Sequence, residues 1–211
     1  MEGNDFNFKS HIIFGVCFYV ILSTFIDVEI SYYGIIGVMI GSLIPDMDHP
    51  KSKINNKILP FQNKIVMMIV YVALGCYLIL YSRGDKYTLV ILGFILLFTG
   101  LSKHRTFTHS LVGIGLFYML LWNIGIQYNV KELTNAVVFG IILHVIADFL
   151  TVKGIQLFYP ASKKNFKFIM TVSTGGIGEL VVVVAIILLT INIVAGSPMN
   201  LEKLLSFLGN T

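Results

Sequence analysis

Seven apolar stretches, parted by short polar segments, run along nearly the whole of this 211-residue chain, and that pattern restricts its fold more than any other feature. The stretches are His11–Ile26, Ser31–Pro45, Ile65–Tyr81, Tyr87–Ser102, Thr108–Ile124, Leu133–Val152 and Ile177–Val194. Most approach the length of about 20 apolar residues that a helix needs to cross a hydrocarbon core. With 56% hydrophobic and 12% charged residues and a mean hydropathy of +0.83, the chain has too little polar surface to coat a soluble globule. Backbone polar groups in lipid must be satisfied within their own segment, so the sequence predicts an all-α, polytopic membrane protein. About seven helices would form one integral membrane domain over residues 1–211. The stretches at 11–26 and 31–45 are short for a crossing, so either could be re-entrant.

Charge gives an orientation. If all seven stretches cross, Lys9, Lys51, Lys53, Lys57, Lys64, Lys103, Arg105, Lys153, Lys163, Lys164 and Lys167 fall on one side, and Arg83, Lys86, Lys131 and Lys203 on the other. Eleven against four places the first side, with the N-terminus, in the cytoplasm by the positive-inside rule. The net charge of +4 and pI near 9.0 are therefore read as topology signals, with no nucleic-acid partner expected. Met1–Ser10 lacks the features of a cleaved leader, so the first helix is expected to be retained. Cys17 and Cys76 lie in apolar surroundings and read as packing residues. Gly34, Gly37 and Gly41 suit close approach of another helix, and Met199–Leu208 suits a short amphipathic helix at the outer interface.

The polar interruptions carry the chemistry. Ionisable groups at membrane depth are costly, yet they concentrate in five clusters. The first is His11, at the start of the first stretch. The second is Pro45-Asp46-Met47-Asp48-His49-Pro50, where two prolines break regular helix so that alternate side chains can converge. The third is His104-Arg105-Thr106-Phe107-Thr108-His109-Ser110. Its histidines, five apart, would not share a helical face, so a loop entering a helix near Thr108 or His109 is expected; Arg105 could hold an anion by forked hydrogen bonds. The fourth, His144 and Asp148, spaced four apart, presents an imidazole and a carboxylate on one face. Either both bind one ion, or Asp148 orients the ring, or the two form a private ion pair between helices. The fifth is Glu179, after a glycine-rich approach to the last helix; it reads as a site residue and equally as a first-turn acid favoured by the helix dipole. All five lie on the cytoplasmic side of the seven-helix topology. Nitrogen and oxygen donors together suit zinc, with manganese or iron also possible.

These residues, taken in order, resemble the YdjM-type family of membrane-bound metal-dependent hydrolases. The resemblance rests on His11, the 45–50 and 104–110 motifs, His144 to Asp148 with Thr151 and Gly154, and Thr174-Gly175 with Glu179. It spans most of the chain and extends, at greater distance, to all-helical zinc phospholipase C and P1-nuclease enzymes. Phe107 stands where many relatives have a smaller residue, often glycine. The expectation is a phosphoesterase at the cytoplasmic face of the inner (plasma) membrane, acting on a phospholipid or other phosphorylated amphiphile. One to three ions would be held by His11, Asp46, Asp48, His109, His144 and Asp148. Arg105 would neutralise developing charge, and His104 or Glu179 would move a proton. Two other classes compete: an ion-coupled transporter using His144 and Asp148 as a path, and a non-catalytic scaffold whose basic loops, such as 163–167, meet lipid or a partner.

Overall fold

The computed structural model describes residues 8–26, 30–59, 61–82, 87–169, 171–173 and 176–196, and the regular elements among them are helices. The helices are α1 (Phe8–Phe25), α2 (Tyr32–Gly41), α3 (Lys53–Ile58), α4 (Lys64–Ser82), α5 (Tyr87–Leu101), α6 (Leu111–Gln127), α7 (Lys131–Phe149) and α8 (Ile177–Gly196). Every apolar stretch read from the sequence carries a helix, and the six-residue α3 adds one within the lysine-rich loop. The segment Met199–Leu208, together with Thr174 and Gly175, lies outside the described residues.

Helix length confirms only some of the seven expected crossings. Four, α1, α4, α7 and α8, are long and apolar enough to span a membrane, with 18 to 20 residues each. Helices α5 and α6 have 15 and 17 residues, and α2 only 10. At a rise of about 1.5 Å per residue, ten residues cover roughly 15 Å, half of a typical hydrocarbon core. The shortening of α2 has a local cause: Pro45 cannot continue a helix, and the chain passes instead into a 3-10 turn over Pro45–Asp48.

Even so, the segment from Ser31 to Asp46 extends far along the bundle beside α7. The Ser31 hydroxyl, which caps α2 through Gly34 N, also donates to Glu132 in the first turn of α7. Gly37 packs on Leu133 and Ala136, Gly41 on Val137 and Gly140, and the Ser42 carbonyl meets His144. The two helices therefore run parallel. A Cβ at Gly41 would overlap the Val137 carbonyl oxygen, and one at Gly140 would overlap the Val38 carbonyl oxygen, so this approach requires glycine on both sides.

Helix α7 is the centre of the molecule. It buries 56% of its span, against 17% to 33% for the other three long helices. On one side Leu143 and Ala147 pack with Phe14 and Ile21 of α1 and Ile186 of α8. On the other, Val137 and Ile141 pack with Ile95 of α5 and Phe117 and Leu120 of α6. A third cluster, Leu59, Met67, Tyr71 and Leu96, joins the α3 region to α4 and α5. Outward faces stay apolar, with Leu80, Leu101, Val181 and Leu188 exposed. Such faces belong against lipid rather than water.

After α7 the chain forms a compact loop fastened over the end of the bundle. Ile155 and Phe166 pair in an isolated antiparallel bridge. Leu111 N donates to Leu157 O at 2.9 Å and Gln156 N to Arg105 O at 3.0 Å. The loop thereby clamps the segment that leads into α6.

Candidate metal centre

The five polar clusters come together at one end of the bundle. His11 is contributed by the first turn of α1 and Asp46 and Asp48 by the 3-10 turn after α2. His104 to His109 come from the α5–α6 connection, His144 and Asp148 from the last turns of α7, and Glu179 from the first turn of α8. His11, Asp48, His109, His144 and Asp148 are all at most 2% exposed, whereas Asp46 and His104 retain about a fifth of their side-chain surface. The centre therefore opens past Asp46 and His104.

Local geometry explains the aim of each side chain. Extended φ/ψ at His49 (−101°, 124°) is what a residue before proline adopts. On the α6 side, the helix begins at Leu111 rather than at Thr108 or His109. The Ser110 hydroxyl caps α6 through Gly113 N, and Phe107–His109 form a separate 3-10 turn. Gly113 lies so close to the Phe107 carbonyl that any Cβ there would overlap it. Phe107 itself is accommodated in the core against Phe98, at 5.4 Å between ring centroids. Arg105 has φ +64°, a conformation that an L residue adopts at a cost of about 1–3 kcal/mol. In return its backbone N–H reaches Asp48 Oδ2 at 3.1 Å while its guanidinium turns inward to Asp148 Oδ1 at 2.7 Å and Thr151 Oγ1 at 2.9 Å.

The hydrogen bonds fix the ring orientations. A carbonyl oxygen only accepts, so His144 Nδ1–H donates to Ser42 O at 2.7 Å, and its Nε2 is left to face the centre. The Thr108 hydroxyl donates to Asp48 Oδ2 at 2.6 Å, so its oxygen accepts from His109 Nδ1–H at 2.9 Å. His109 Nε2 then also faces inward. It lies 3.2 Å from His144 Nε2 and 3.0 Å from Asp148 Oδ2. His144 Nε2 is 3.6 Å from Asp46 Oδ1 and 3.8 Å from Asp148 Oδ2. His11 stacks on His144 at 3.8 Å between centroids, with Nε2 3.5 Å from Asp148 Oδ1. With neutral rings, lone pairs would crowd together in a buried space, so something positive belongs among them: either a proton on His109 Nε2 or a cation. The donor set, imidazole nitrogen with carboxylate oxygen and each ring braced from behind, is one that could hold a metal ion.

Ligand atoms that can share one ion form two overlapping triads, His11/His144/Asp148 and Asp46/His109/His144. Asp48 is in neither. Its two oxygens accept from His104 Nδ1–H at 2.6 Å, Arg105 N–H and Thr108 O–H, the pattern of a group that positions others. Burial pushes the Asp48 carboxyl up, but His104, seconded by His109 and Thr108, outweighs burial and holds it below the usual carboxylate range. Asp46 goes the other way: burial, with Asp148 adding to it, raises its carboxyl despite the nearby histidines. Arg105 is buried and committed to Asp148 and Thr151, so it faces inward instead of into solvent. Glu179 accepts from the Ser10 hydroxyl, one residue from His11 on α1. His104 carries its ring against His49, 4.9 Å away.

Three contributors had no individual signal in sequence. Ser42 acts through a backbone carbonyl, which any residue has. Thr108 and Ser10 act through common hydroxyls, and only their places beside His109 and His11 set them apart.

A polytopic helical membrane protein with a buried histidine–aspartate centre at one end of its bundle is the class that fold and site define. The chain belongs to the YdjM inner membrane protein family, which it matches over residues 7–208. It is also similar to the uncharacterized protein YvsG of Bacillus subtilis (strain 168), with 27% identity over 164 residues covering 74% of this chain and 79% of YvsG. No solved structure matches the chain.

Proposed function

We propose that this protein is a membrane-embedded, metal-dependent hydrolase that cleaves the phosphoester of a lipid or other amphiphile at the cytoplasmic face. The observation that carries the reading is the convergence of His109 Nε2, His144 Nε2 and Asp148 Oδ2, with both rings held by partners that direct their lone pairs inward. These three, with Asp46 and His11 at the flanks, are the residues to hold a divalent ion, zinc by donor type and manganese or iron as alternatives. When bound, such an ion acidifies water and offsets charge on phosphoryl oxygens.

The remaining residues have separate tasks. Asp48 fixes the His104 ring at the open edge of the centre, where a half-buried imidazole is suited to take up and return a proton. Arg105 supplies a permanent positive charge beside Asp148. Apolar outer faces and the opening past Asp46 fit a substrate that arrives from the membrane surface.

The test is phosphate release by detergent-purified protein, loaded with zinc or manganese, from mixed micelles containing phosphatidic acid or a lysophospholipid. Turnover is expected, together with parallel loss of metal and activity in His144→Ala and Asp148→Asn. Fully loaded protein that releases no phosphate from either lipid counts against the phosphoesterase. Proton-coupled solute uptake into vesicles that depends on His144 would favour the transporter instead.

A further inference from the structure

We infer that the centre is built for one divalent cation per chain, with the Arg105 guanidinium standing where a second would go. This rests on the metal reading above and narrows it from one to three ions to one.

The first reason is the supply of ligand atoms. Both triads draw on His144, and His144 has one lone pair to give, because its Nδ1 donates to Ser42 O at 2.7 Å. An imidazole nitrogen holds one ion, so the two triads describe one position reached from two sides. A second ion would have to draw on carboxylate oxygens that the first ion and the protein donors leave available. Asp48 has both of its oxygens committed to three protein donors. Asp148 turns Oδ2 toward His109, and its Oδ1 already receives Arg105 at 2.7 Å.

The second reason is charge. Arg105 is locked in place from three directions: its backbone N–H on Asp48, one arm on Asp148 and the other on Thr151. Thr151 donates its own proton to the Asp148 carbonyl, so its oxygen is an acceptor toward the arginine. A guanidinium keeps its charge in any protein environment. Asp46, Asp48, Asp148 and Glu179 bring four negative charges, against which one divalent ion, this arginine and Lys64, whose Nζ meets the Asp48 carbonyl, bring four positive. Another divalent ion would leave a buried excess of positive charge, which the low-dielectric surroundings penalise. The left-handed backbone at Arg105 directs its amide and its guanidinium to two carboxylates on different elements.

The experiment is metal stoichiometry on the full chain in detergent. The protein is stripped with chelator, exchanged into excess zinc or, separately, manganese, desalted, and analysed for metal and protein. The wild type is expected to hold one ion per chain in either metal, however large the excess. Arg105→Gln is expected to take up more than one ion per chain, because Asp148 Oδ1 is released and a repelling charge is gone; Arg105→Lys is expected to stay at one. An arginine that merely supported the fold would give the opposite sign, with metal falling in Arg105→Gln. A wild-type ratio of two or three, or an Arg105→Gln ratio at or below one, overturns the inference and leaves the metal centre standing. No metal in the wild type overturns both. If Arg105→Gln does not fold, the wild-type ratio still decides.

Discussion

At the scale of single residues, the centre works through what stands behind each ligand. His109 is a ligand candidate because Thr108 and Asp48 set its tautomer, and His144 because the Ser42 carbonyl does. Thr108→Val keeps the volume and removes the hydroxyl, so it should weaken zinc binding by about 10- to 100-fold without unfolding the protein. Thr108→Ser should restore most of that affinity; competitive titration against a fluorescent chelator measures both, and equal affinity in all three proteins would contradict the arrangement. Asp148→Asn leaves Arg105 buried without its carboxylate partner, so it should cost stability as well as metal, on the order of 3–5 kcal/mol. Thermal unfolding in detergent reads that difference, and an unchanged midpoint would speak against the pairing at 2.7 Å. Much of this site is legible in sequence, since costly ionisable residues in an apolar chain announce themselves. The division of labour is not. Asp46 and Asp48 read alike in the Asp-Met-Asp run, and only the three donors converging on Asp48 separate a positioning group from a ligand candidate.

At the scale of elements, the α2–α7 contact connects packing to chemistry. Glycines 37, 41 and 140 bring two backbones together, and that approach delivers the Ser42 carbonyl to His144. Gly41→Val should therefore do two things: destabilise by about 1–3 kcal/mol through overpacking, and release the His144 ring, lowering metal content. Parallel unfolding and metal analysis test it, and a variant as stable and as metal-loaded as the wild type would show that the crossing does not position the ring. The glycines stood out in sequence as a close-approach surface, but their partner did not, because α7 is a hundred residues away in the chain. Helix positions were readable from apolar length alone. Helix ends were less so: the His104–His109 segment contains no proline or glycine to mark the 3-10 turn, and the Ser110 cap was obscured by the apolar run it opens.

At the scale of the whole molecule, the bundle places all five clusters at one end and leaves apolar faces outward. The lysine-rich segments 51–57 and 153–167 lie in the connections at that same end, so the positive-inside rule predicts that this end faces the cytoplasm. In a variant with Cys17 and Cys76 replaced by alanine, Lys164→Cys should resist an impermeant maleimide in intact cells, and Lys86→Cys should react; the reverse pattern would invert the topology. The number of crossings was the least legible property, because α2, α5 and α6 are apolar yet shorter than the four long helices, and length in sequence does not reveal where a helix stops. The proposed chemistry depends on a cation among His109, His144 and Asp148. The most direct measurement is X-ray absorption at the zinc edge of loaded, desalted wild-type protein beside His144→Ala. The predicted spectrum has a nitrogen and oxygen shell with the multiple scattering of two or more imidazoles, and His144→Ala loses specific zinc. A first shell without imidazole, or a spectrum that His144→Ala leaves unchanged, would contradict it.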